Sequence, residues 1–326
     1  MRSLTFSQYG SPDVVQVTET EKPIAKNDEV LVEVHATGVN TGDWRVRAAA
    51  FPGVLAIPGR LMFGLLRPRN QRLGTEFAGV VSAVGSEASR FAVGDRVYGF
   101  SAKFGASAEY LAIPDSAAIA ALPSDLSFVE GAALPFGGLA ALAFLTDFGQ
   151  LKANQRVLVI GASGGVGVYA VQIAKAWGAR VTAVAGPSNQ DLLTGLGADK
   201  AIDYTRADVG AIADRYDVIL DCIGALRPQT ALKLLRDSGV FLPLNISLRE
   251  IWASLLNSFR SRKVILAVND DTAEGLQNLN ELIADQKLRP VVDRVYEFDD
   301  ARAAHAFVER RHRSGAVVLR VRASID

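Results

Sequence analysis

The stretch Arg156–Asn189, RVLVIGASGGVGVYAVQIAKAWGARVTAVAGPSN, limits what this chain can fold into more than any other. Val157–Ile160 is an unbroken apolar run of the kind that forms a buried parallel strand. Gly161–Gly167 turns the chain. Val166, Ala170, Ile173, Ala174 and Trp177 then recur at helical spacing, which lays one apolar face on a sheet. Gly178 stands where a helix C-terminus needs a residue tolerant of positive φ, and Val181–Val184 supply a second strand. Such a unit brings the free N–H groups of a helix N-terminus beside glycines, where a pyrophosphate can approach the backbone. Ser163, Gly164, Gly165, Val166 and Gly167 are therefore the candidate phosphate cradle. The pattern G-x-G-x-x-G is met except at its first glycine, where Ala162 stands. A tight turn that binds nothing is the competing reading.

A chain of 326 residues has room for two domains, and its texture changes at Pro123. Residues 1–122 are β-rich: Glu29–His35 alternates with Val30, Val32 and Val34 on one side, which predicts a half-buried strand. Phe77–Val84 and Arg96–Tyr98 follow between glycine turns, as in a barrel-like or sandwich domain. Arg45–Leu73 carries Pro52, Gly53, Pro58, Gly59, Gly64 and Pro68 and no steady period, so a long connection or flap is expected there. From the capping box Ser127-Phe128-Val129-Glu130 onward, helices and strands alternate as in a doubly wound parallel sheet spanning 123–286. Lys263–Val268 is its expected last strand. Beyond Leu288 a strand, a short helix and a final strand return, assigned with 287–326 to the first domain. Leu248, Ile251, Trp252, Leu255, Leu256 and Phe259 recur at helical spacing and are expected to pack in the core; a cleft border or a subunit contact is the alternative.

Thirty-five basic and thirty-five acidic residues cancel, so net charge makes no case for nucleic acid or a membrane surface, and neither is expected as a partner. The basic runs Arg67–Arg72 and Arg310–Arg313 read as solvated faces. Met1–Thr5 lacks the apolar core of a signal peptide, and Phe51–Leu66 is broken by prolines and Arg60, so a cytoplasmic location is expected. Cys222 is the only cysteine, which excludes an internal disulfide and a four-cysteine zinc lobe.

Several further motifs fall in a definite order: Gly38-Val39-Asn40-Thr41-Gly42-Asp43, Leu73-Gly74-Thr75-Glu76-Phe77-Ala78-Gly79, Val93-Gly94-Asp95-Arg96-Val97-Tyr98-Gly99, Ala106–Tyr110, Leu196–Asp199 and Asp217–Gly224. With the glycine turn, they make the chain resemble the medium-chain dehydrogenase/reductase superfamily in its zinc-independent, quinone oxidoreductase-like branch, from about Leu4 to Arg322. The resemblance implies a GroES-like catalytic domain (1–122 with 287–326) and a Rossmann coenzyme domain (123–286). It also implies hydride transfer between a nicotinamide coenzyme and a quinone or α,β-unsaturated carbonyl. Zinc-dependent relatives place metal ligands where Asn40 and Thr75 stand here; an amide and a hydroxyl are poor zinc ligands, so no metal is expected. The pairing of the last sheet strand in relatives implies a homodimer.

NAD specificity normally needs a carboxylate at the end of the second strand, and none stands in Ala185–Asn189, which favours NADP(H) and leaves NAD(H) open. No basic residue stands there either, so Ser188 and Asn189 are the expected 2′-phosphate partners and Tyr204 the adenosine neighbour. Cys222 (through its backbone) and Gly224 are expected to flank the ribose, with Leu244 and Asn245 facing the nicotinamide. The position of Asn40 in the Gly-Val-Asn motif makes it the expected catalytic donor near the nicotinamide, with Asp43 fixing its loop. Trp44, Phe63 and Phe104 are candidate substrate-cleft walls. Trp44–Arg69 holds no tyrosine, which tells against the tyrosine-assisted proton transfer of some enoyl-thioester reductases. The alternatives are an enoyl-thioester or alkenal reductase, and a coenzyme-binding regulatory protein with little turnover.

Overall fold

The computed structural model describes residues 1–51, 53 and 56–322; Pro52, Val54 and Leu55 of the expected flap, and residues 323–326, lie outside the described residues. Two sheets organise the chain. The first has six parallel strands in the order Lys200–Asp203, Arg180–Ala185, Arg156–Ile160, Tyr216–Asp221, Leu235–Pro243, Lys263–Val264. Numbered along the chain this is 3-2-1-4-5-6, so the strand order reverses between Arg156–Ile160 and Tyr216–Asp221, where a crevice opens at the C-terminal strand ends. Val157, Leu158 and Val159 are fully buried because helices cover both faces.

The second sheet has seven strands, and its centre is Glu29–Val39. That strand pairs antiparallel with Glu76–Val84, Tyr110–Pro114 and the C-terminal Ala316–Arg320, which itself pairs parallel with Val292–Glu297. With three partners and elements on both faces, Leu31 and Ala36 are buried as well as Val30, Val32 and Val34. On the other side of the strand Glu29, Glu33 and His35 stay partly exposed, so the half-buried reading of Glu29–His35 holds except at Leu31.

The connection after this strand is two short helices, Thr41–Ala48 and Ala56–Phe63, rather than irregular chain. Pro58 lies in the first turn of the second, where a missing N–H costs nothing. The Ser127 cap forms as read, and Thr272 caps helix Ala273–Ala284. Lys263–Val268 contributes a strand only at Lys263–Val264. A larger correction concerns Leu248–Asn257: it is a helix, but Leu248, Trp252, Leu255 and Leu256 are exposed, with Phe259 beyond its end. Helical spacing shows that a face exists, not which way it points.

The two sheets meet across a buried seam. Tyr98 donates to the carbonyl of Leu276 and to Asn280 Oδ1 (2.8 Å), and Tyr169 donates to the carbonyl of Ala133 (2.9 Å). Helix Pro135–Ala143 packs on the back of the glycine turn, where a Cβ at Gly137 would collide with the Gly165 carbonyl.

Candidate functional site

The turn between Ile160 and helix Gly167–Ala176 explains its own sequence. Gly161 adopts φ +73°, and the amides of Gly161 and Ala162 both donate to the Val184 carbonyl (3.1 and 3.0 Å). The conformational demand therefore falls on Gly161, while the Ala162 methyl is buried in the core. A Cβ on Gly167 would collide with the Gly161 carbonyl, and one on Gly164 would meet only that carbonyl, at 3.3 Å. One glycine lets the helix close on the strand, and the other leaves room for close approach from outside.

That outside is a cavity of about 780 Å³ lined by Gly161, Ser163, Gly164, Ala185, Ser188, Asn189, Tyr204, Ile223 and the segment Arg311–Ser314. Of the expected coenzyme residues, Ser163, Gly164, Ser188, Asn189 and Tyr204 meet here. Val166 and Gly167 are buried behind the turn, and Gly165 lies under the Arg313 guanidinium. Cys222, Gly224, Leu244 and Asn245 do not line this cavity. Gly224 (φ +73°) and Ile223 donate their amides to the buried Asp221 Oδ1, and Gly224 packs on Asn245. Burial pushes the Cys222 thiol well above its usual range, which leaves it no nucleophilic thiolate.

The second strand ends without a carboxylate, as read, and Asp191 does not line the cavity; Asp208, at its far end, does. The basic partner that local sequence lacks comes from elsewhere. Arg311 lies over the Trp44 ring at 5.1 Å, and half-buried Arg313 donates to the Val39 carbonyl (3.3 Å) and Thr41 Oγ1 (3.2 Å). Ser314 donates to Asn189 Oδ1 (2.5 Å), and the Gly315 amide to the Ser163 carbonyl (2.8 Å). Arg310–Arg313 is therefore no simple solvated face. The sequence signal was available: the run precedes a strand that pairs with the end of Glu29–Val39, beside the Gly-Val-Asn motif.

Asn40 is 3% exposed and caps helix Thr41–Ala48, its Oδ1 accepting from the amides of Gly42 (2.8 Å) and Asp43 (3.2 Å). Both hydrogens of its amide are engaged, one by Thr75 Oγ1 (2.8 Å) and one by Glu76 Oε2 (2.9 Å). An amide with both hydrogens engaged has none for a substrate, so the expected catalytic donor is corrected to a positioning residue. Asp43 completes the capping box by accepting from the Asn40 amide (2.9 Å), in keeping with a loop-fixing role. Burial pushes the Asp43 and Glu76 carboxyls up, each to about 7. The positions at which a zinc site would need ligands are thus a hydrogen-bonded amide and hydroxyl, a donor set that does not fit the ion. Among the described residues no cluster of three or more His, Cys, Asp or Glu could hold a metal. His305 is buried and pushed down to about 3 by desolvation and Arg47, and His35 stacks on Phe128 at 4.3 Å.

The aromatic candidates divide. Trp44 is buried beneath Arg311 and so backs the cavity. Phe63 and Phe104 pack edge to face at 5.9 Å on the core of the seven-stranded sheet and do not line the cavity. Arg45 is half-buried and donates to Asn245 Oδ1 (2.5 Å), joining the first helix to the end of a strand of the other sheet; its Nε has no partner. Desolvation, then the like charge of Arg311, lowers its proton affinity. Residue type alone favours exposure for an arginine at this position over a role in orienting a polar substrate, and the half-burial of Arg45 departs from that.

Comparison with known proteins agrees with this architecture. The family model "Alcohol dehydrogenase GroES-like domain" matches residues 26–131, and "Zinc-binding dehydrogenase" matches 196–319. The 2-methylene-furan-3-one reductase of Solanum lycopersicum is 31% identical over 332 residues, covering 98% of this chain and 79% of the relative. The solved quinone oxidoreductase from Coxiella burnetii superposes with a TM-score of 0.87 at 28% identity, covering 99% of each chain. The Escherichia coli quinone oxidoreductase complexed with NADPH gives 0.83 at 26% identity, covering 98% of this chain and all of that one. On the order of its motifs, its two sheets and these matches, the chain belongs to the medium-chain dehydrogenase/reductase superfamily, in its quinone oxidoreductase-like branch.

Proposed function

We propose that the protein is a metal-independent reductase that uses NADPH to deliver hydride to a quinone or an α,β-unsaturated carbonyl. The observation that carries the reading is the cavity itself: the glycine turn, Ser188, Asn189 and Tyr204 line it together with the cationic segment Arg311–Arg313. The turn amides and helix Gly167–Ala176 suit a pyrophosphate, and Ser188, Asn189 and Arg311 suit a 2′-phosphate where no carboxylate closes the second strand. When bound, the reduced nicotinamide supplies the hydride. The chain's own part is to orient the acceptor and to stabilise the oxygen that gains electron density. We assign that second task to Arg45, whose unpartnered Nε lies where the two sheets meet.

Domain limits of 1–122 with 287–326, and 123–286, belong to the same proposal, and the pairing of Ala316–Arg320 with Glu29–Val39 supports the joining of the C-terminal segment to the first domain. A homodimer through the edge strand Lys263–Val264, and a cytoplasmic location, remain part of the reading. Among the described residues no helix is long and apolar enough to cross a membrane.

The test is NADPH and NADH oxidation by the purified protein with a para-quinone, an alkenal and an enoyl thioester in parallel. The expected outcome is turnover on the first two with NADPH preferred. Tight NADPH binding without turnover on any acceptor would instead make this a coenzyme-binding protein.

A further inference from the structure

Helix Leu248–Asn257 is built inside out. Glu250, Ala253 and Asn257 face the protein and are buried, while Trp252 is 62% and Leu256 68% exposed, with Leu248 and Leu255 beside them and Phe259 just beyond. Their spacing puts them on one face, which no described element covers. A second exposed apolar stripe, Ile57, Leu61, Met62, Leu65 and Leu66, lies on helix Ala56–Phe63 and the turn after it. Gly53, just ahead of that helix, packs against Ser247, the N-cap of the first, so the two helices start from neighbouring points. Both lie on the rim where Arg45 meets Asn245.

Charge selects what this rim can meet. Residues 44–75 hold no carboxylate and, besides the buried Arg47 and half-buried Arg45, four arginines at the surface; residues 246–269 add Arg249, Arg260, Lys263 and Arg262, the last paired with Asp237 (3.2 Å), against a single carboxylate, the buried Glu250. In a chain of zero net charge, this is a strongly cationic border around apolar side chains. Arg67, Arg69, Arg249 and Arg260 in it are exposed. A second copy meeting the same face about a two-fold axis would set like charges together. An anionic lipid surface satisfies both properties: leucine, tryptophan and phenylalanine enter the acyl boundary while arginine meets the headgroups.

We infer that these two helices dock the protein, lying flat, on the surface of an anionic bilayer. Neither helix is long enough to span one, so the contact is interfacial. The balanced net charge that argued against a membrane surface conceals this segregation. If the reductase reading holds, docking also sets the cleft rim at the apolar phase from which a lipophilic acceptor enters; that corollary rests on the reading, and the docking does not.

The experiment is co-sedimentation of the full chain with vesicles of phosphatidylcholine alone or with added phosphatidylglycerol, with tryptophan emission recorded. Wild type is expected to bind the anionic vesicles at least ten-fold more than the neutral ones, with a blue shift from Trp252, and to be released by salt at about 0.5 M. Leu255→Ser with Phe259→Ser, and separately Arg67→Glu with Arg260→Glu, should each lower binding at least ten-fold. NADPH oxidation with a water-soluble acceptor should stay unchanged in both. The inference fails if wild type stays in the supernatant at low salt, or if both double variants bind as wild type does. It also fails if the serine variant halves the mass in solution while wild type ignores vesicles, which would make the face a subunit contact.

Discussion

At the scale of single residues, the buried polar groups around helix Thr41–Ala48 divide into those fully engaged and those that are not. Asn40 and Glu76 are mutually saturated, whereas Arg45 keeps an unpartnered Nε. Arg45→Met should therefore lower kcat about 100-fold, the usual loss for one oxyanion donor, with little change in KM for NADPH. Steady-state kinetics with a para-quinone checks this, and an unchanged kcat would remove Arg45 from the mechanism. Glu76 makes a second prediction. Its folded pKa, about 7, lies above its unfolded value, so the carboxyl's contribution to stability is complete below about pH 4 and is lost as pH rises through 7. Asp43 has the same sign. Glu76→Gln should thus flatten, without abolishing, the fall in Tm between about pH 5 and pH 8, a span over which this burial is worth on the order of a few kcal/mol. Parallel slopes for the two proteins in thermal melts would show that Glu76 does not titrate there.

Among elements, helix Thr41–Ala48 does the most joining. Asn40 caps it, Arg45 reaches the other sheet, and Arg47 is fully buried against the Gly10 carbonyl (2.8 Å) and Glu309 (2.6 Å) at the end of helix Ala301–Glu309. Arg47→Ala removes both contacts and leaves a cavity, which should cost about 3 kcal/mol; Arg47→Met, which refills the volume, should cost less. Thermal melts of the two variants test the order, and equal losses would show that packing is not part of the effect. This helix also marks the limit of what sequence reading reaches. The strand–turn–helix unit at Arg156–Ala185 was legible because its apolar run, glycines and helical spacing all act locally. Thr41–Ala48 was missed because Gly42 and the surrounding glycines and prolines hide a helix held by its capping box. The outward face of Leu248–Asn257 was missed for the opposite reason: its periodicity was clear, but direction depends on what the rest of the chain leaves uncovered. Asn40 was expected to donate to a substrate, and its sequence motif could not show that both its amide hydrogens go to Thr75 and Glu76.

For the molecule as a whole, the cavity at the glycine turn, proposed above to hold the coenzyme, is closed by chain from both sheets. The six-stranded sheet supplies the glycine turn, Ser188, Asn189 and Tyr204. The segment Arg311–Ser314, between two strands of the other sheet, supplies cations and ties itself to Ser163 and Asn189. A ligand held by both parts must favour the state in which they are docked, so binding is linked to the stability of the pair. At 100 times its Kd, NADPH should add about 2.7 kcal/mol, a rise of about 5 °C in Tm for a chain of this size. Arg313 is the member to remove: held by Val39 and Thr41 of its own sheet, its guanidinium reaches across to cover Gly165 of the glycine turn, and desolvation there already lowers its proton affinity. Arg313→Gln should lower Tm only modestly without ligand, because glutamine can keep one of the two contacts, yet abolish most of the NADPH-induced rise at the same coenzyme concentration. Differential scanning of both proteins with and without NADPH separates the two effects. An undiminished rise in the variant would mean that the coenzyme is held by the six-stranded sheet alone, and that the cationic segment closes the cavity without contributing to binding.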